Sequence, residues 1–582
     1  MATLDTEIQA GASAARSRRP AGWRLILAWL PHLILVGVLA TGFTWAWQNT
    51  IFGFPGMYND DASYICFAQA LAQGKGYIIP WAPVPVPADR FPIGFPAFLS
   101  LFFKVVPPPL TRQITAMQIS VNVLGAAFLL VAYLFIVRRL KISPWFALIA
   151  VTLVALDPMY SDLGATTMSD LPFALVFVAA WWLQHRYLER PSAGRLLPVA
   201  VTIAAAILVR YAAAILPLVA VVVLLWRRRW QAALSYGAAV ALLLAPWVAW
   251  VLAHHSYGYA SQWAHTGASA VVLSLSLGFS ALYVVYLGLA PFLFPGVFLA
   301  DHPWRTPIQY TNPAYISLGL LAAGFIAFGL WWAGKRGRLE IDGSGAEKVS
   351  SASGLRVERR LAAASICAYL VLIWAWSAGF LNLGEYLYVR LLMPVLPVGL
   401  ALTLTAVVEA TRGWRLPWRS VSLLTLGSLL ALGAAGALPQ HEFTIHQGLA
   451  MRQGDSRGLA ELFKGFAREV PPDELAATQY EPIFHLLVNR PSLTVLLNPS
   501  VMLDEIAHTQ IRYLLMGPSM VGGKDLTLKM VQQLNRAVPG LIEIVRTSTG
   551  RPTGVFRIDR SRLARPTERT GPEAKRRPAP VR

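Results

Sequence analysis

The sequence predicts an α-helical, multi-spanning membrane protein with a small C-terminal α/β domain. Three observations support this class. Apolar residues make up 55% of the 582 residues and charged residues only 14%, whereas about a quarter of a soluble protein is charged. Many apolar stretches reach the ~20 residues that a helix needs to cross a hydrocarbon core of ~30 Å. From about residue 440, short helical and strand-like patterns replace the long apolar stretches.

The net charge of +20 does not indicate nucleic-acid binding, because such a surface needs basic residues clustered on a soluble face. Here Lys and Arg lie mostly in short connectors, where they mark the cytoplasmic side of a membrane protein. The two cysteines, Cys66 and Cys367, lie in or beside different apolar stretches and follow no metal-ligand spacing. We therefore expect neither a disulfide nor a metal site.

The first apolar stretch, Leu25 to Trp47, is predicted to be a membrane anchor. It is longer than the apolar core of a secretory signal, ~7 to 15 residues, and no small-residue cleavage site follows it. The basic residues before it place the N-terminus in the cytoplasm. Residues 48–112 are then expected to lie outside.

The next spans follow from the alternation of basic and acidic connectors. A second span over 113–137 returns inside, a third from Pro144 ends outside at Asp157, and a fourth runs from Leu171 to Arg186. A further span is predicted over 231–253.

Between Arg195 and Arg227 the chain is apolar for about 30 residues, and basic residues flank it on both sides. Both ends are therefore expected in the cytoplasm. Such a stretch must turn back within the membrane or at its far surface, and Val209-Arg210-Tyr211 near its midpoint is the predicted turn.

The segment 268–300 is ambiguous from its hydropathy. Residues 335–360 carry seven basic residues and are expected inside, so the segment must cross an even number of times, zero or two. Spans near 361–380, 391–409 and 420–438 bring the expected total to about 11–13.

We predict four parts of the chain. They are a cytoplasmic basic tail (1–24), a polytopic membrane domain (25–439) with a long external loop (48–112), a soluble extracytoplasmic α/β domain (440–558) and a disordered basic tail (559–582). The loop 337–354 is expected to be flexible because of its Gly, Ser and Ala content. The expected location is the inner (plasma) membrane.

Polar residues on one membrane side mark a working face, because the bilayer tolerates charge only where it is paired, hydrated or used. The external loop carries adjacent carboxylates, Asp60 and Asp61, followed by Tyr64. On a helix that starts there, Asp60 and Tyr64 share one face at i and i+4. The acids either cap this helix and are solvated, or one serves as a general base for an acceptor hydroxyl or amine.

The same loop resembles the first external loop of the GT-C membrane glycosyltransferases, in particular the protein O-mannosyltransferase and lipid A aminoarabinose transferase group. The resemblance rests on Asp60-Asp61-x-x-Tyr64, on Gly74-Lys75-Gly76-Tyr77 and on Phe91-Pro92-Ile93-Gly94-Phe95-Pro96. Members of the group carry Asp-Glu-x-x-Tyr and Tyr-Pro-Pro-Gly-Tyr-Pro. The segments 167–173, 209–211 and 388–394 are similar to the group's Ser-(Glu/Asp), Arg-bearing and Arg-Tyr-Leu-Leu-Pro segments.

The resemblance implies that a sugar is transferred, with inversion, from a polyprenyl-phosphate carrier to a cell-envelope acceptor at the outer face. It implies that Asp60 is the base, with Asp61 as the second candidate catalytic residue. Asp61 stands where the group has Glu, and Phe and Ile93 replace residues of the proline motif, so the subfamily and the sugar stay open. The acceptor is a lipid, a glycan or a protein. No obligatory cofactor is expected, and a divalent cation is left open.

A lipid-linked phosphodiester needs cations at the interface, and Arg matches phosphate oxygens bidentately. Alternatives stay open, since Arg390 can pair with Glu385, Arg210 can extend to the interface, and external aspartates often cap helices. The candidate substrate-binding residues are Tyr64, Lys75, Arg90, Asp162, Asp170, Arg210, Glu385 and Arg390.

Two other classes compete with a lipid-linked-sugar transferase. A secondary transporter should show paired repeats and ionisable residues near the midplane, whereas the charges here fall mainly at span ends. A non-catalytic envelope-assembly protein would not need two adjacent carboxylates and external arginines together.

Overall fold

The computed structural model describes residues 21–55, 59–88, 91–254, 327–332, 351–378, 391–411, 449–495, 499–515, 526–546 and 552–563. Helices dominate the described residues before 411, and a five-stranded sheet lies in the C-terminal part. The predicted fold class is therefore confirmed.

The described helices of the N-terminal part differ widely in length. Three helical stretches are long and apolar enough to cross a membrane: Trp29–Gln48, Leu110–Arg139 and Trp230–Ala253. The number of spans stays a prediction, because 268–300 and 420–438 lie outside the described residues. The helices are α1 (Ala21–Gln48), α2 (Asn59–Ala72), α3 (Gly94–Val105), α4 (Leu110–Leu134), α5 (Pro144–Ala155), α6 (Pro158–Gly164), α7 (Asp170–Glu189), α8 (Ala193–Val209), α9 (Ile215–Trp226), α10 (Trp230–Ala253), α11 (Ser351–Ala378) and α12 (Leu396–Ala410).

The predicted turn at Arg210 is present. Helix α8 ends at Val209, Arg210 is extended with φ −151°, and a 3-10 turn over Tyr211–Ala214 leads into α9. The start of α8 and the end of α9 both lie at the C-terminal end of α7. There Arg195 donates to the carbonyl of Arg186, and Arg227 donates to the carbonyl of Leu188.

An ion-pair clasp joins three helices, α4, α7 and α11, at that same end of α7. The π-helical turn Phe135–Arg139 continues α4, and Arg139 pairs with Glu358 of α11 at 2.8 Å and with Glu189 of α7 at 2.9 Å. His185 of α7 hydrogen-bonds to the second oxygen of Glu358. We use the name ion-pair clasp for Arg139, His185, Glu189 and Glu358; beside it, Arg359 of α11 pairs with Glu409 of α12 at 3.0 Å.

The C-terminal part is an α/β domain with a mixed sheet of order β4-β3-β5-β7-β6. Strand β3 runs parallel to β4 and β5, while β7 is antiparallel to β5 and β6. Its elements are α13 (Leu449–Glu469), β3 (Leu475–Thr478), α14 (Glu481–Val488), β4 (Ser492–Thr494), α15 (Pro499–His508), β5 (Ile511–Leu515), α16 (Leu526–Ala537), β6 (Ile542–Arg546) and β7 (Pro552–Ile558).

Each face of this sheet belongs to a different hydrophobic cluster, because successive side chains of a strand point to opposite faces. Leu515 lies in one cluster with Phe463 of α13 and Phe484 of α14. Its neighbour Leu514 lies in the other, with Leu534 of α16. The first cluster continues into the membrane domain.

The C-terminal domain docks on the predicted external loop. Helix α14 packs against α2, and the Cys66 thiol donates to the carbonyl of Pro482 at 3.4 Å. The backbone N–H of Ser492 donates to the carbonyl of Trp81 at 2.9 Å. That carbonyl lies between strands β1 (Ile78–Ile79) and β2 (Val86–Pro87), which form an antiparallel pair.

Two predicted boundaries differ from the structure. Asp559 caps a 3-10 turn, Arg560–Arg562, by accepting from the Ser561 N–H, so the expected disordered tail was placed too early at 559. Helix α11 begins at Ser351, inside the loop 337–354 that was expected to be flexible. At Asp559 this local hydrogen bond orders residues whose composition alone favours a loop.

Candidate active site

The predicted catalytic carboxylates lie in the first turn of α2, where a helix N-terminus favours negative charge. Their environments differ. Asp61 is 0% exposed, and its Oδ1 accepts the Ala62 N–H at 2.7 Å. Asp60 is half-buried, so it is the carboxylate of the two that a substrate can reach.

Tyr64 connects this helix turn to α7. Its side chain is 2% exposed, and its hydroxyl lies 3.0 Å from that of Ser169. The ring packs between Phe91 and Phe95 with centroids 4.7 and 5.0 Å away. Aromatic contacts of this kind fix ring orientation, so the proline motif holds Tyr64 in place.

Arg210 and Asp170 form a buried ion pair next to the same serine. Arg210 Nη2 donates to Asp170 Oδ2 at 2.6 Å, and Arg210 Nε donates to Ser169 Oγ at 2.9 Å. The Asp170 side chain is 1% exposed and that of Arg210 is 13% exposed. Arg210 is therefore directed into the protein rather than toward the membrane interface. We call Tyr64, Ser169, Asp170 and Arg210 the site network.

A glycine of the proline motif fixes the distance between α3 and the Arg210 turn. A Cβ added to Gly94 would lie 2.6 Å from the backbone carbonyl oxygen of Leu208, two residues before Arg210. A residue with a side chain cannot be accommodated at this distance without moving one of the helices. Gly94 thus allows the loop and the Arg210 turn to approach closely.

Helix α11 contacts a second segment of the predicted site, the segment that follows Arg390. The Tyr369 hydroxyl donates to the carbonyl of Leu391 at 2.7 Å. Leu391 directly follows the predicted phosphate-binding Arg390. Arg390, Glu385 and Arg90 themselves lie outside the described residues, so their roles stay predictions.

Lys75 and Asp162 lie on other segments than the site network, Lys75 in the turn after α2 and Asp162 on α6. Lys75 follows α2 and is exposed; burial and the charge of Lys75 lower the pKa of His485 on α14. Asp162 lies on α6, which Asp157 caps by accepting the Met159 N–H at 2.7 Å. Burial, together with the charge of Asp162, raises the pKa of Asp157 to about 7.

The structure thus brings three predicted residues, Tyr64, Asp170 and Arg210, together around Ser169. Asp60 and Asp61 lie in the first turn of α2, the helix that carries Tyr64. Sequence reasoning gave no role to Ser169, although it stands in the quoted Ser-Asp motif. Its position before an acidic helix start is a recognisable N-terminal signal, but its bonds to Tyr64 and Arg210 depend on tertiary packing. Among the described residues, no group of three or more His, Cys, Asp and Glu could hold a metal ion.

Residues 91–250 match the family model of the dolichyl-phosphate-mannose-protein mannosyltransferases. Over this segment the chain is similar to that glycosyltransferase family. The matched segment begins with the proline motif and contains Ser169, Asp170 and Arg210, so three of the four site-network residues lie inside it. The predicted resemblance to this group and the predicted enzyme class, a glycosyltransferase, are confirmed by this match. A comparison with curated proteins finds no match to this chain.

Solved structures show a similar fold at low sequence identity. An Archaeoglobus fulgidus oligosaccharyltransferase tethered to an acceptor peptide is 12% identical with a TM-score of 0.51, over 90% of this chain and 74% of that one. ArnT from Cupriavidus metallidurans in the apo state is 13% identical with a TM-score of 0.47, over 93% of this chain and 99% of that one. ArnT bound to undecaprenyl phosphate is 14% identical with the same TM-score, over 94% and 100%.

Proposed function

We propose that this glycosyltransferase moves a sugar, with inversion, from a polyprenyl-phosphate donor to a cell-envelope acceptor at the outer face of the inner membrane. The observation that carries the proposal is the site network. It ties the helix turn of the reachable Asp60 to a buried arginine through Tyr64 and Ser169.

In this proposal Asp60 is the general base. It takes the proton from an acceptor hydroxyl or amine as that atom attacks the anomeric carbon of the sugar. The bond between this carbon and the phosphate oxygen breaks, and polyprenyl phosphate leaves with the electron pair. Attack opposite the leaving group inverts the anomeric centre. Asp61 is buried and already accepts a backbone N–H, which suits it to shaping the turn.

Arg210 is proposed to stabilise the phosphate that leaves. A guanidinium has five N–H donors, of which the contacts to Ser169 and Asp170 use two, and a preorganised cation acts most strongly where water is excluded. Asp170 holds the guanidinium plane in a fixed orientation. Arg390, Arg90 and Lys75 are proposed as further cations for the donor.

The family name supports the donor class, because dolichyl-phosphate mannose is a sugar on a polyprenyl-type phosphate. A lipid carrier also suits the proposed location, since nucleotide sugars are supplied on the cytoplasmic side. The acceptor and the sugar are left open. The C-terminal domain is proposed to be extracytoplasmic and to contribute a wall of the acceptor path where α14 packs on α2.

The donor class is tested with purified protein and two radiolabelled donors that carry the same sugar, one on polyprenyl phosphate and one on a nucleotide. The measured quantity is the polyprenyl phosphate or the nucleotide that the reaction releases. Membrane extract supplies the acceptor, so the acceptor need not be known. We expect turnover only of the lipid-linked donor. Turnover of the nucleotide sugar alone would contradict the proposal.

Arg210→Lys is the matched test of phosphate binding, because lysine keeps the charge and loses the planar fork. Turnover of the lipid-linked donor should fall at least tenfold. The control is Arg512→Lys in the C-terminal domain, where the side chain is 60% exposed. Equal turnover of both variants would remove Arg210 from the phosphate site.

A further inference from the structure

Six arginines surround the C-terminal end of α7, the end opposite the candidate active site. Helix α7 has 20 residues and is therefore about 30 Å long, which matches the hydrocarbon thickness of a bilayer. Asp170, at its first residue, belongs to the site network. We call the arginines at the other end the arginine rim: Arg186, Arg190, Arg195, Arg227, Arg228 and Arg229.

The rim's own segment carries almost no compensating negative charge, and Glu358 of the neighbouring clasp pairs with Arg139 at 2.8 Å. The segment 171–230 contains one acidic residue, Glu189, and Glu189 already pairs with Arg139 at 2.9 Å. All rim arginines except the half-buried Arg195 are exposed. Clustered charge of one sign on this small area attracts an anionic partner.

Three rim arginines are oriented by the last carbonyls of α7, which lack partners within a helix. Arg195 donates to the carbonyl of Arg186 at 2.9 Å, Arg227 to that of Leu188 at 3.0 Å and Arg229 to that of Glu189 at 3.5 Å. Each bond uses one of the five N–H donors of a guanidinium. The remaining donors are thus held around one point at the helix end.

Two exposed tryptophans indicate the depth at which the arginine rim lies in the membrane. Trp226 is 85% exposed and Trp230 is 60% exposed, and they flank Arg227, Arg228 and Arg229 in the turn between α9 and α10. Tryptophan side chains prefer the headgroup level of a bilayer. Because the two tryptophans flank it, we expect the turn between them to lie at the level of the lipid phosphates. Arg228 in this turn has a φ of 55°.

We propose that the arginine rim binds the headgroup of an anionic phospholipid on the membrane face opposite the candidate active site. The guanidinium groups take the phosphate oxygens in charge-assisted hydrogen bonds, while Trp226 and Trp230 contact the glycerol and the upper acyl chain. The proposal is independent of the transferase reaction, because the rim shares no residue with the site network.

Native mass spectrometry of the detergent-purified full chain tests this proposal. The protein is titrated with phosphatidylglycerol or with phosphatidylcholine of the same acyl chains, and the bound fraction gives a Kd. The main variant is Arg228→Gln/Arg229→Gln. Its matched control removes two exposed arginines of the C-terminal sheet, Arg512→Gln/Arg557→Gln.

Wild type should prefer phosphatidylglycerol, and the rim variant should bind it roughly 5- to 30-fold more weakly, since each arginine near an anionic headgroup contributes about 1 kcal/mol, or about fivefold. The control should keep the wild-type Kd. If the first variant fails to fold, Arg186→Gln/Arg190→Gln tests the same rim from α7.

Three results would overturn the proposal. The first is equal binding of the two lipids by wild type. The second is a rim variant that melts like wild type and keeps its affinity for phosphatidylglycerol. The third is glycerol 3-phosphate, which has no acyl chains, binding as tightly as the lipid; the rim would then be a site for free phosphate.

Discussion

At the residue scale, Ser169 is the point where three elements of the site meet. Its hydroxyl lies 3.0 Å from the Tyr64 hydroxyl and accepts from Arg210 at 2.9 Å. The adjacent Asp170 completes the arrangement by pairing with the same arginine. One short segment at the start of α7 therefore determines the distance between the turn that carries Asp60 and the proposed phosphate-binding cation.

Gly94→Ala should disturb the site through the backbone. The new methyl group would lie 2.6 Å from the Leu208 carbonyl oxygen, so α3 or the Arg210 turn must move. We expect a lower Tm and at least tenfold lower turnover. Gly237→Ala on α10 is the control, because its Cβ would meet nothing within 4 Å and alanine favours a helix by up to about 1 kcal/mol. Equal Tm and turnover in both variants would contradict the close approach.

Asp157→Asn should reduce the pH dependence of stability. The pKa of Asp157 is raised from 3.8 to about 7 by burial and by Asp162, so the folded protein holds a proton that the unfolded chain releases. Stability is then highest below the unfolded pKa and is lost as the pH rises toward 7. Asparagine keeps the helix cap without titrating. The Tm of Asp157→Asn should fall less between pH 4 and pH 8 than the Tm of wild type. Identical profiles of Tm against pH would disprove the raised pKa of Asp157.

At the element scale, the ion-pair clasp and the site network share helix α7. Helix α7 carries Asp170 at one end and His185 and Glu189 near the other, and α11 carries Glu358 near its start and Tyr369 farther along. The clasp therefore fixes how far α7 and α11 slide relative to each other. Tyr369 in turn bonds the segment that follows Arg390.

Glu358→Ala should be strongly destabilising, because it leaves the buried His185 without its carboxylate partner and Arg139 with Glu189 alone. The Glu358 and Arg139 side chains are 10% and 13% exposed, and breaking a buried pair on one side costs about 3–5 kcal/mol. Arg512→Ala breaks a pair whose arginine is 60% exposed and should cost at most about 1 kcal/mol. Thermal unfolding in detergent compares them, and a similar loss of stability would show that the clasp is unimportant.

Much of the helical arrangement followed from charge and helix-boundary signals. The start of α7 near Leu171, the end of α10 at Ala253 and the turn at Arg210 were each predicted from where basic, acidic and apolar stretches change. Strand β3 has only a weak strand signal in the sequence, because Leu-Ala-Ala-Thr has little β-branched or aromatic character. The partners of Ser169 and the ion-pair clasp join residues distant in sequence, for which periodicity gives no signal.

At the scale of the whole molecule, the C-terminal domain and the membrane domain share one hydrophobic cluster. The contact runs through α14 and α2, the helix that begins with Asn59 and the two carboxylates. The domain therefore packs against the candidate catalytic helix, on the same side of the molecule as the site network. The arginine rim lies at the opposite end of α7.

The distribution of basic connectors predicts the membrane topology. A reporter fused after residue 445 should score as extracytoplasmic, and one inserted near Gly345 should score as cytoplasmic, because basic connectors stay inside. Both sites lie outside the described residues, so the experiment is independent of the contacts above. Reporters on the same side would contradict the even number of crossings expected for 268–300.

The central claim is that Asp60 is the base of a lipid-dependent sugar transfer, and its most direct test is the single-turnover rate of Asp60→Asn with a polyprenyl-phosphate sugar. Asparagine keeps the size of the side chain and cannot take a proton, and removal of a positioned base costs ~10² to 10⁴ in rate. Asp504→Asn, whose side chain is 60% exposed on α15, controls for loss of a carboxylate. We predict that Asp60→Asn inserts and melts like wild type but transfers the sugar at least 100-fold more slowly than wild type. Asp504→Asn should not show this loss of rate. A normally folded Asp60→Asn protein with near-wild-type turnover would contradict the claim.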